Sequence, residues 1–314
     1  MEPINQPRIV FFGTPQFSLA SLVALVNEGY DIAAVITAPD RPAGRGLQLQ
    51  PCPVALYARE HGLFVIQPDK LSRPEILPML EALHASVAVL VAYGYIIPPG
   101  VLQLFAHGIV NVHPSLLPLY RGSSPIASAL LNGATETGVT LMLLDEAMDH
   151  GPIIAQRLEL IVTDDTNFTL HQRLSKIGAQ LLVESLPKYL EGTLVPQSQD
   201  HTLATYTKLI KPENGRINWT LRAETISRAW RAYQPWPGSF TAWDGKRLKL
   251  GRIEALESTP QGVPGLCKAI NGGILVSCGS GSVKIHELQL EGGKMLASAD
   301  FLRGYPSISG SMLG

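Results

Sequence analysis

The sequence predicts an α/β protein in which a Rossmann-like, doubly wound and mostly parallel sheet is followed by a small C-terminal β-barrel of the OB-like kind. Apolar runs alternate with helical segments from residue 8 to residue 190, which is typical of a parallel sheet with helices on both faces. After a polar, irregular stretch, short strand-like runs separated by Gly, Pro and Asp indicate a small barrel. The 314 residues are therefore predicted to form a first domain over 1–191, a linker over 192–207 and a second domain over 208–314.

The elements of the first domain follow one another at short intervals. Arg8–Gly13 is an apolar run that ends in Gly and predicts a buried strand, and helical apolar spacing follows it until Gly29. Ser72, with Glu75 three residues later, predicts a capped helix start. Residues 38–53, rich in Pro, Gly and Arg, are predicted to be irregular. The predicted strands are 8–13, 31–37, 63–67, 87–92, 109–112, 139–144 and 153–160, and the predicted helices are 15–28, 54–61, 72–84, 123–131 and 168–190.

The second domain has one clear helix, over about 223–233, before its strand-like runs. Asp244-Gly245 lies between two of these runs and predicts a hairpin turn. The small and polar residues of the tail, 307–314, predict that it frays.

Composition excludes several classes of protein. Hydrophobic residues make up 46% of the chain, yet no apolar run approaches the ~18 residues that span a bilayer. The N-terminus has neither the basic region nor the cleavage site of a signal peptide, so we expect a cytoplasmic protein. Cys52, Cys267 and Cys278 are far apart, which argues against a disulfide framework and a structural zinc site, and no cluster of ligands suggests any other metal.

Charge is distributed unevenly along the chain. Residues 1–206 have 11 basic and 18 acidic side chains, a net charge of −7, whereas residues 207–314 have 14 and 8, a net charge of +6. A basic domain beside an acidic one suits a polyanionic substrate such as RNA, although a chance imbalance of surface charge explains it equally well.

The turn after the first strand, FFGTPQF, contains a single Gly. It lacks both the G-x-G-x-x-G fingerprint and the P-loop, so a dehydrogenase or an NTPase has little support.

The most informative stretch is GIVNVHPSLLPLYRGSSP, residues 108–125. Its buried strand ends with Asn111 and His113, and side chains two residues apart on a strand point to the same face. Parallel sheets bind ligands at the carboxyl ends of their strands. A carboxamide and an imidazole presented together there indicate an active site rather than a hydrogen-bonded structural histidine.

Asp149 is a third candidate, because it follows the strand over 139–144 and an Asp can orient an imidazole. Asp145, Glu146 and His150 compete for that role, and the sequence by itself does not choose among them.

The chain resembles the methionyl-tRNA formyltransferases, within the enzymes that use 10-formyltetrahydrofolate as formyl donor. The resemblance covers nearly the whole chain in order. It rests on FFGTPQF, PDRPAGRG (39–46), VAYGYIIP (91–98), NVHPSLLPLYRG (111–122), MDHGP (148–152), GRINW (215–219) and PWPGSF (235–240). Pro114 and His150 stand where the family often has other residues, and neither change removes a catalytic group.

The resemblance implies a role for specific residues. Asn111, His113 and Asp149 correspond to the catalytic trio, and the turn Ser115, Leu116, Leu117 and Pro118 corresponds to the folate-binding turn. Arg41 and Arg45, in the loop 38–51, correspond to tRNA-binding residues, and the second domain to a tRNA-binding barrel.

The implied reaction is transfer of a formyl group from 10-formyltetrahydrofolate to the α-amine of methionyl initiator tRNA, in translation initiation, with no metal. We expect a monomer with no membrane partner. Three alternatives stay open: a formyltransferase acting on an amino-sugar nucleotide or another small amine, a formyltetrahydrofolate hydrolase, and an RNA-binding protein with an inactive catalytic fold.

Overall fold

The computed structural model describes residues 7–43, 48–257 and 262–314, which fall into two compact units. The first unit takes in the chain up to Pro125 together with Glu136–Leu160 and His171–Thr207. The second takes in Ile126–Thr135, Ile161–Leu170 and Lys208–Gly314.

The first unit contains a seven-stranded mixed sheet. Its strands are β1 (Ile9–Gly13), β2 (Ile32–Ile36), β5 (Val65–Ile66), β6 (Val87–Val91), β7 (Ile109–His113), β8 (Glu136–Leu143) and β9 (Ile153–Leu160). The order across the sheet is β5-β2-β1-β6-β7-β8-β9. The first five strands are parallel, whereas β8 and β9 are antiparallel to their neighbours. This arrangement confirms the predicted Rossmann-like, mostly parallel sheet.

The helices of this part of the chain follow the predicted order, apart from one short helix at 99–102 that the sequence did not predict. They are α1 (Gln16–Asn27), α2 (Pro53–Glu60), α3 (Ile76–Glu81), α4 (Pro99–Leu102), α5 (Pro125–Leu131) and α6 (Asn167–Leu190). The predicted cap at Ser72 is wrong, because α3 begins only at Ile76 and has no side-chain cap. Glu75, the expected partner of Ser72, instead lies 3.7 Å from the guanidinium of Arg73.

The segment predicted to be irregular contains a small hairpin. Strands β3 (Arg41–Ala43) and β4 (Gln48–Gln50) pair in antiparallel fashion. A two-stranded ribbon tolerates Pro42 because each of its strands pairs on one side only. The prediction for residues 38–53 was therefore wrong at these six positions.

The second unit contains an antiparallel sheet of six strands. Its elements are α7 (Ala223–Ala232), β10 (Ser239–Trp243), β11 (Lys246–Leu256), β12 (Cys267–Ile270), β13 (Gly273–Ser277), β14 (Ser282–Leu290), β15 (Leu296–Ala297) and α8 (Ser298–Gly304). The order is β10-β11-β14-β13-β12, with β15 beside β14. Trp243 pairs with Lys246, so Asp244 and Gly245, both with positive φ, form the predicted two-residue hairpin turn.

The C-terminal tail closes this sheet, contrary to the prediction that it frays. Ala242 of β10 exchanges two backbone hydrogen bonds with Gly314. On the opposite edge, the amide of Cys267 in β12 donates to Ser311 O, and the amide of Leu313 donates to Gly265 O. Leu313 is 4% exposed. Apolar burial and pairing with both edge strands therefore hold the tail and complete the barrel.

Among the helices that the structure describes, none combines the length and the apolar character that a membrane span needs.

Candidate active site

Strand β7 brings Asn111 and His113 to the carboxyl end of the parallel part of the sheet. Both residues are 5% exposed, because β7 lies between β6 and β8 in the sheet. Within residues 7–43, 48–257 and 262–314, the carboxamide of Asn111 has no hydrogen-bond partner. A buried amide of this kind is available to a ligand, since buried polar groups are usually paired.

His113 lies between two hydrogen-bond acceptors. Its Nε2 is 3.2 Å from the carbonyl oxygen of Tyr120, and its Nδ1 is 3.7 Å from Oδ2 of Asp149. Burial lowers the pKa of His113 below its ordinary value of 6.5, while the charge of Asp149 and the Tyr120 carbonyl act in the opposite direction. Because burial dominates, the imidazole is neutral near pH 7 and keeps a lone pair with which to accept a proton.

Asp149 lies in the loop between β8 and β9 in a left-handed conformation, with a φ of 48°. Its Oδ2 accepts a hydrogen bond from the amide of Gly122 at 2.7 Å. Of its competitors, Asp145 lies 2.6 Å from Nδ1 of His150. The structure therefore brings Asp149 towards His113, and pairs Asp145 with His150.

The turn from Ser115 to Pro118 is held against β8 and β9. Ser115 is fully buried and its hydroxyl donates to Leu119 O at 2.6 Å. Leu117 is also buried, and its amide donates to Oγ1 of Thr140 at 3.1 Å. Leu116 and Pro118 are half-buried, so these two side chains are the ones that a bound molecule could contact.

Of the two predicted tRNA-binding arginines, the structure describes Arg41. Arg41 lies in β3, is exposed, and donates from its guanidinium to the hydroxyl of Tyr95 at 3.3 Å. Arg45 lies outside the described residues.

Sequence reasoning missed Arg121, which is 1% exposed. Its guanidinium donates to Oε1 of Gln199 at 2.6 and 3.2 Å, and to Nδ1 of His201 at 2.9 Å. Gln199 lies in the predicted linker 192–207, which belongs to the first unit. The YRG sequence could have drawn attention to Arg121, but nothing in the local pattern of 192–207 indicates that Gln199 is buried.

No group of three or more His, Cys, Asp or Glu side chains in the described part of the chain is arranged to hold a metal ion.

Comparison with known proteins gives matches along the whole chain. Residues 7–186 match the family described as formyl transferase, and residues 209–306 match the formyl transferase C-terminal domain. A methionyl-tRNA formyltransferase of Geobacter metallireducens is 43% identical over 307 residues, which cover 98% of each chain. A methionyl-tRNA formyltransferase of Chloroflexus aggregans is 44% identical over 299 residues, 95% of this chain and 97% of that one.

A solved structure shares the fold. An N-formyltransferase of Helicobacter canadensis, in complex with folinic acid and dTDP-3-aminofucose, superposes with a TM-score of 0.65 at 18% identity. The match covers 89% of this chain and 98% of that one. Identity this low shows a common architecture and leaves the acceptor substrate undecided.

Proposed function

The chain belongs to the formyl transferase family, and we propose that it transfers a formyl group from 10-formyltetrahydrofolate to the α-amine of methionyl initiator tRNA. The observation that carries the reaction class is the buried, neutral His113 placed 3.7 Å from Asp149. The buried carboxamide of Asn111, which has no hydrogen-bond partner among the described residues, lies on the same strand. The acceptor follows from relatives that match 98% and 95% of the chain and are named for it.

In the proposed mechanism the neutral amine of the methionyl group attacks the formyl carbon, and a new C–N bond forms. His113 accepts the proton that the amine loses, as a general base that is neutral because burial lowers its pKa. The tetrahedral intermediate then expels N10 of the folate, which takes up a proton as the old C–N bond breaks. The products are formyl-methionyl-tRNA and tetrahydrofolate.

Asn111 and Asp149 act on the charges that develop. The carboxamide of Asn111 donates to the oxyanion of the intermediate, a contact that is often worth about 3 kcal/mol. Asp149 stabilises protonated His113, since its carboxylate faces Nδ1 of the ring. His113 then passes this proton to the leaving nitrogen and becomes neutral again.

The formyl donor is proposed to bind at the turn Ser115, Leu116, Leu117 and Pro118. The half-buried side chains of Leu116 and Pro118 offer an apolar surface to a flat heterocycle. Ser115 and Leu117 support the turn from inside through the contacts with Leu119 and Thr140.

The tRNA is proposed to bind through two features. Arg41 and Arg45 reach a base edge or a phosphate, and the net charge of +6 over residues 207–314 attracts the phosphate backbone. The proposed domains are a formyltransferase domain over 1–191 and a tRNA-binding domain over 208–314, joined by a linker over 192–207. A monomer without a membrane partner is proposed, in the cytoplasm where translation takes place.

One assay tests this function. The protein is incubated with labelled 10-formyltetrahydrofolate and methionyl initiator tRNA, and label is followed into the aminoacyl group. We expect label on the methionine amine and none on uncharged tRNA. Label that goes to an amino-sugar nucleotide or to free formate, with none on the tRNA, would establish one of the rival activities instead.

A further inference from the structure

In the part of the chain that the structure describes, Arg121 is a buried cation without a carboxylate beside it. Its side chain is almost fully enclosed, and among the described residues no carboxylate oxygen lies within 4.0 Å of it. Its hydrogen bonds go to Gln199, His201 and the hydroxyl of Tyr206. A desolvated guanidinium without a carboxylate partner is less favourable than one in an ion pair, so this arrangement calls for a reason other than stability.

The partners of Gln199 fix the orientation of its carboxamide. Arg121 can only donate, so Oε1 of Gln199 must face it. Nε2 then donates to the carbonyl oxygens of Asp149, at 2.9 Å, and Gly151, at 2.7 Å. A flipped amide would place donors against donors and acceptors against acceptors.

Asp149 is thereby held at two points. Gln199 holds its backbone carbonyl, and the amide of Gly122 holds its carboxylate. Its positive φ is a conformation that non-glycine residues rarely adopt and that persists only where surrounding contacts fix it. The carboxylate faces His113 because the loop is locked in this conformation.

The other side of the site is held by the same segment, residues 199–207. The backbone amide of Arg121 donates to Thr205 O, and the amide of Thr207 donates to Arg121 O, both at 2.8 Å. The amide of Tyr120 donates to Oγ1 of Thr205 at 2.8 Å. Tyr120 contributes the carbonyl beside Nε2 of His113, so segment 199–207 contacts both groups that flank the imidazole.

We infer that Gln199, with its carboxamide oriented by buried Arg121, is a positioning residue that fixes the Asp149 carboxylate against His113 in the formyl-transfer site. The inference rests on the proposed function, in which Asp149 stabilises protonated His113. Gln199 is buried and acts through the loop that contains Asp149, since its Nε2 donates to the carbonyl oxygens of Asp149 and Gly151.

Gln199→Glu tests the inference directly. The variant keeps an oxygen for Arg121, and gains an ion pair with it, but loses the donor to Asp149 O and Gly151 O. The matched control is Gln197→Glu, the same chemical change two residues away. The Gln197 side chain is exposed, and its one hydrogen bond within the described residues is to Val195 O. Both are measured by single-turnover formylation with saturating tRNA, by KM for each substrate, and by thermal unfolding.

We expect Gln199→Glu to lower the single-turnover rate about 10²-fold, as misplacement of a catalytic group by about 1 Å does. Neither KM should change more than about 3-fold, and Gln197→Glu should stay within about 2-fold of the wild type. A rate for Gln199→Glu within 2-fold of the control would overturn the inference.

The pH profile separates positioning from general loosening. Besides Asp149, the charged or titratable groups around this part of the site include Arg121, Tyr206, His150, His201 and Asp145. The substitution removes none of them and adds one carboxylate, which faces Arg121. A displaced Asp149 raises the pKa of His113 less, so the acidic limb of the rate profile should move to lower pH. A slower variant with an unmoved limb would assign Gln199 a structural role only.

Two further outcomes remain decisive. If Gln199→Glu does not fold, Thr205→Val provides the second variant. Thr205 is exposed, and this substitution removes only the hydrogen bond between its side chain and Tyr120 N. We expect a formylation rate about 5-fold slower, with unchanged thermal unfolding. An unchanged rate there would count against the segment's role. If the wild type formylates another amine instead of tRNA, the proposed acceptor is wrong, and the same comparison of Gln199 with Gln197 on that amine still decides the inference.

Discussion

Two regions of the first unit that the proposed reaction uses are built in opposite ways. At the end of β7, His113 and Asn111 are 5% exposed and are surrounded by groups that are themselves hydrogen-bonded. On the β3–β4 hairpin, Arg41 is exposed and its side chain has one hydrogen bond within the described part of the chain, to Tyr95.

The difference follows from what each region has to do. Proton transfer and oxyanion stabilisation need fixed groups in a dry environment, where electrostatic interactions are strong. Attraction of a polyanion needs accessible cations, and works at a distance with little demand on geometry. Substitutions in the first region should therefore change the rate of chemistry, and substitutions in the second should change binding and its dependence on salt.

The largest effect is expected for His113→Ala. Loss of the general base should lower kcat about 10³-fold, within the range of general acid–base catalysis, while tRNA still binds. Rapid-quench formylation and filter binding measure the two quantities. His61→Ala, at an exposed histidine, is the control, and a His113→Ala enzyme as fast as this control would remove the base from the mechanism.

Asn111→Ala should have the next largest effect. Loss of the oxyanion donor should lower kcat about 10²-fold and leave KM for both substrates nearly unchanged, because the contact forms in the transition state. Steady-state kinetics with each substrate varied measures this. A raised KM for folate with an unchanged kcat would reassign Asn111 to ground-state binding.

Arg41→Ala should act on binding alone. Loss of one contact to a phosphate or a base edge should weaken tRNA binding about 10-fold. If the contact is to a phosphate, the slope of the logarithm of the tRNA-binding constant against the logarithm of the salt concentration should also become shallower by about 1. Binding is measured between 50 and about 200 mM salt. The control is Arg73→Ala, at another exposed arginine of the same unit, and equal weakening in both variants would show a nonspecific charge effect.

The smallest effect concerns stability. Burial lowers the pKa of His113, so below pH 6.5 the unfolded chain binds a proton at this residue more readily than the folded protein does. The contribution of neutral His113 to the free energy of unfolding is therefore present above pH 6.5 and is lost as the pH falls below it. The urea midpoint of the wild type should therefore fall between pH 7 and pH 5 by more than that of His113→Gln. His171, whose pKa burial also lowers, keeps part of the dependence in both proteins. Equal falls in the two proteins would contradict the sign of the shift at His113.

Much of the fold could be predicted because its determinants are local. The apolar runs of β1, β2 and β6 and the helical spacing of α1 and α6 are recognised within a single element. The hairpin turn at Asp244-Gly245 is likewise specified by two residues that tolerate positive φ. The tail was misjudged because the burial of Ile308 and Leu313 depends on strands elsewhere in the barrel.

The sequence by itself determined the α/β class and the placement of Asn111 and His113 on one face of a strand. Through resemblance, it also determined the reaction. All three follow from strand periodicity and short motifs, which are properties of neighbouring residues. Only the tertiary structure decided that Asp149 faces His113 while Asp145 pairs with His150, and that Arg121 and Gln199 meet. Gly122 and Asp149 are 27 residues apart, and Arg121 and Gln199 are 78 apart. Contacts over such separations depend on how the chain returns to the end of β7, and no local pattern of residues encodes that return.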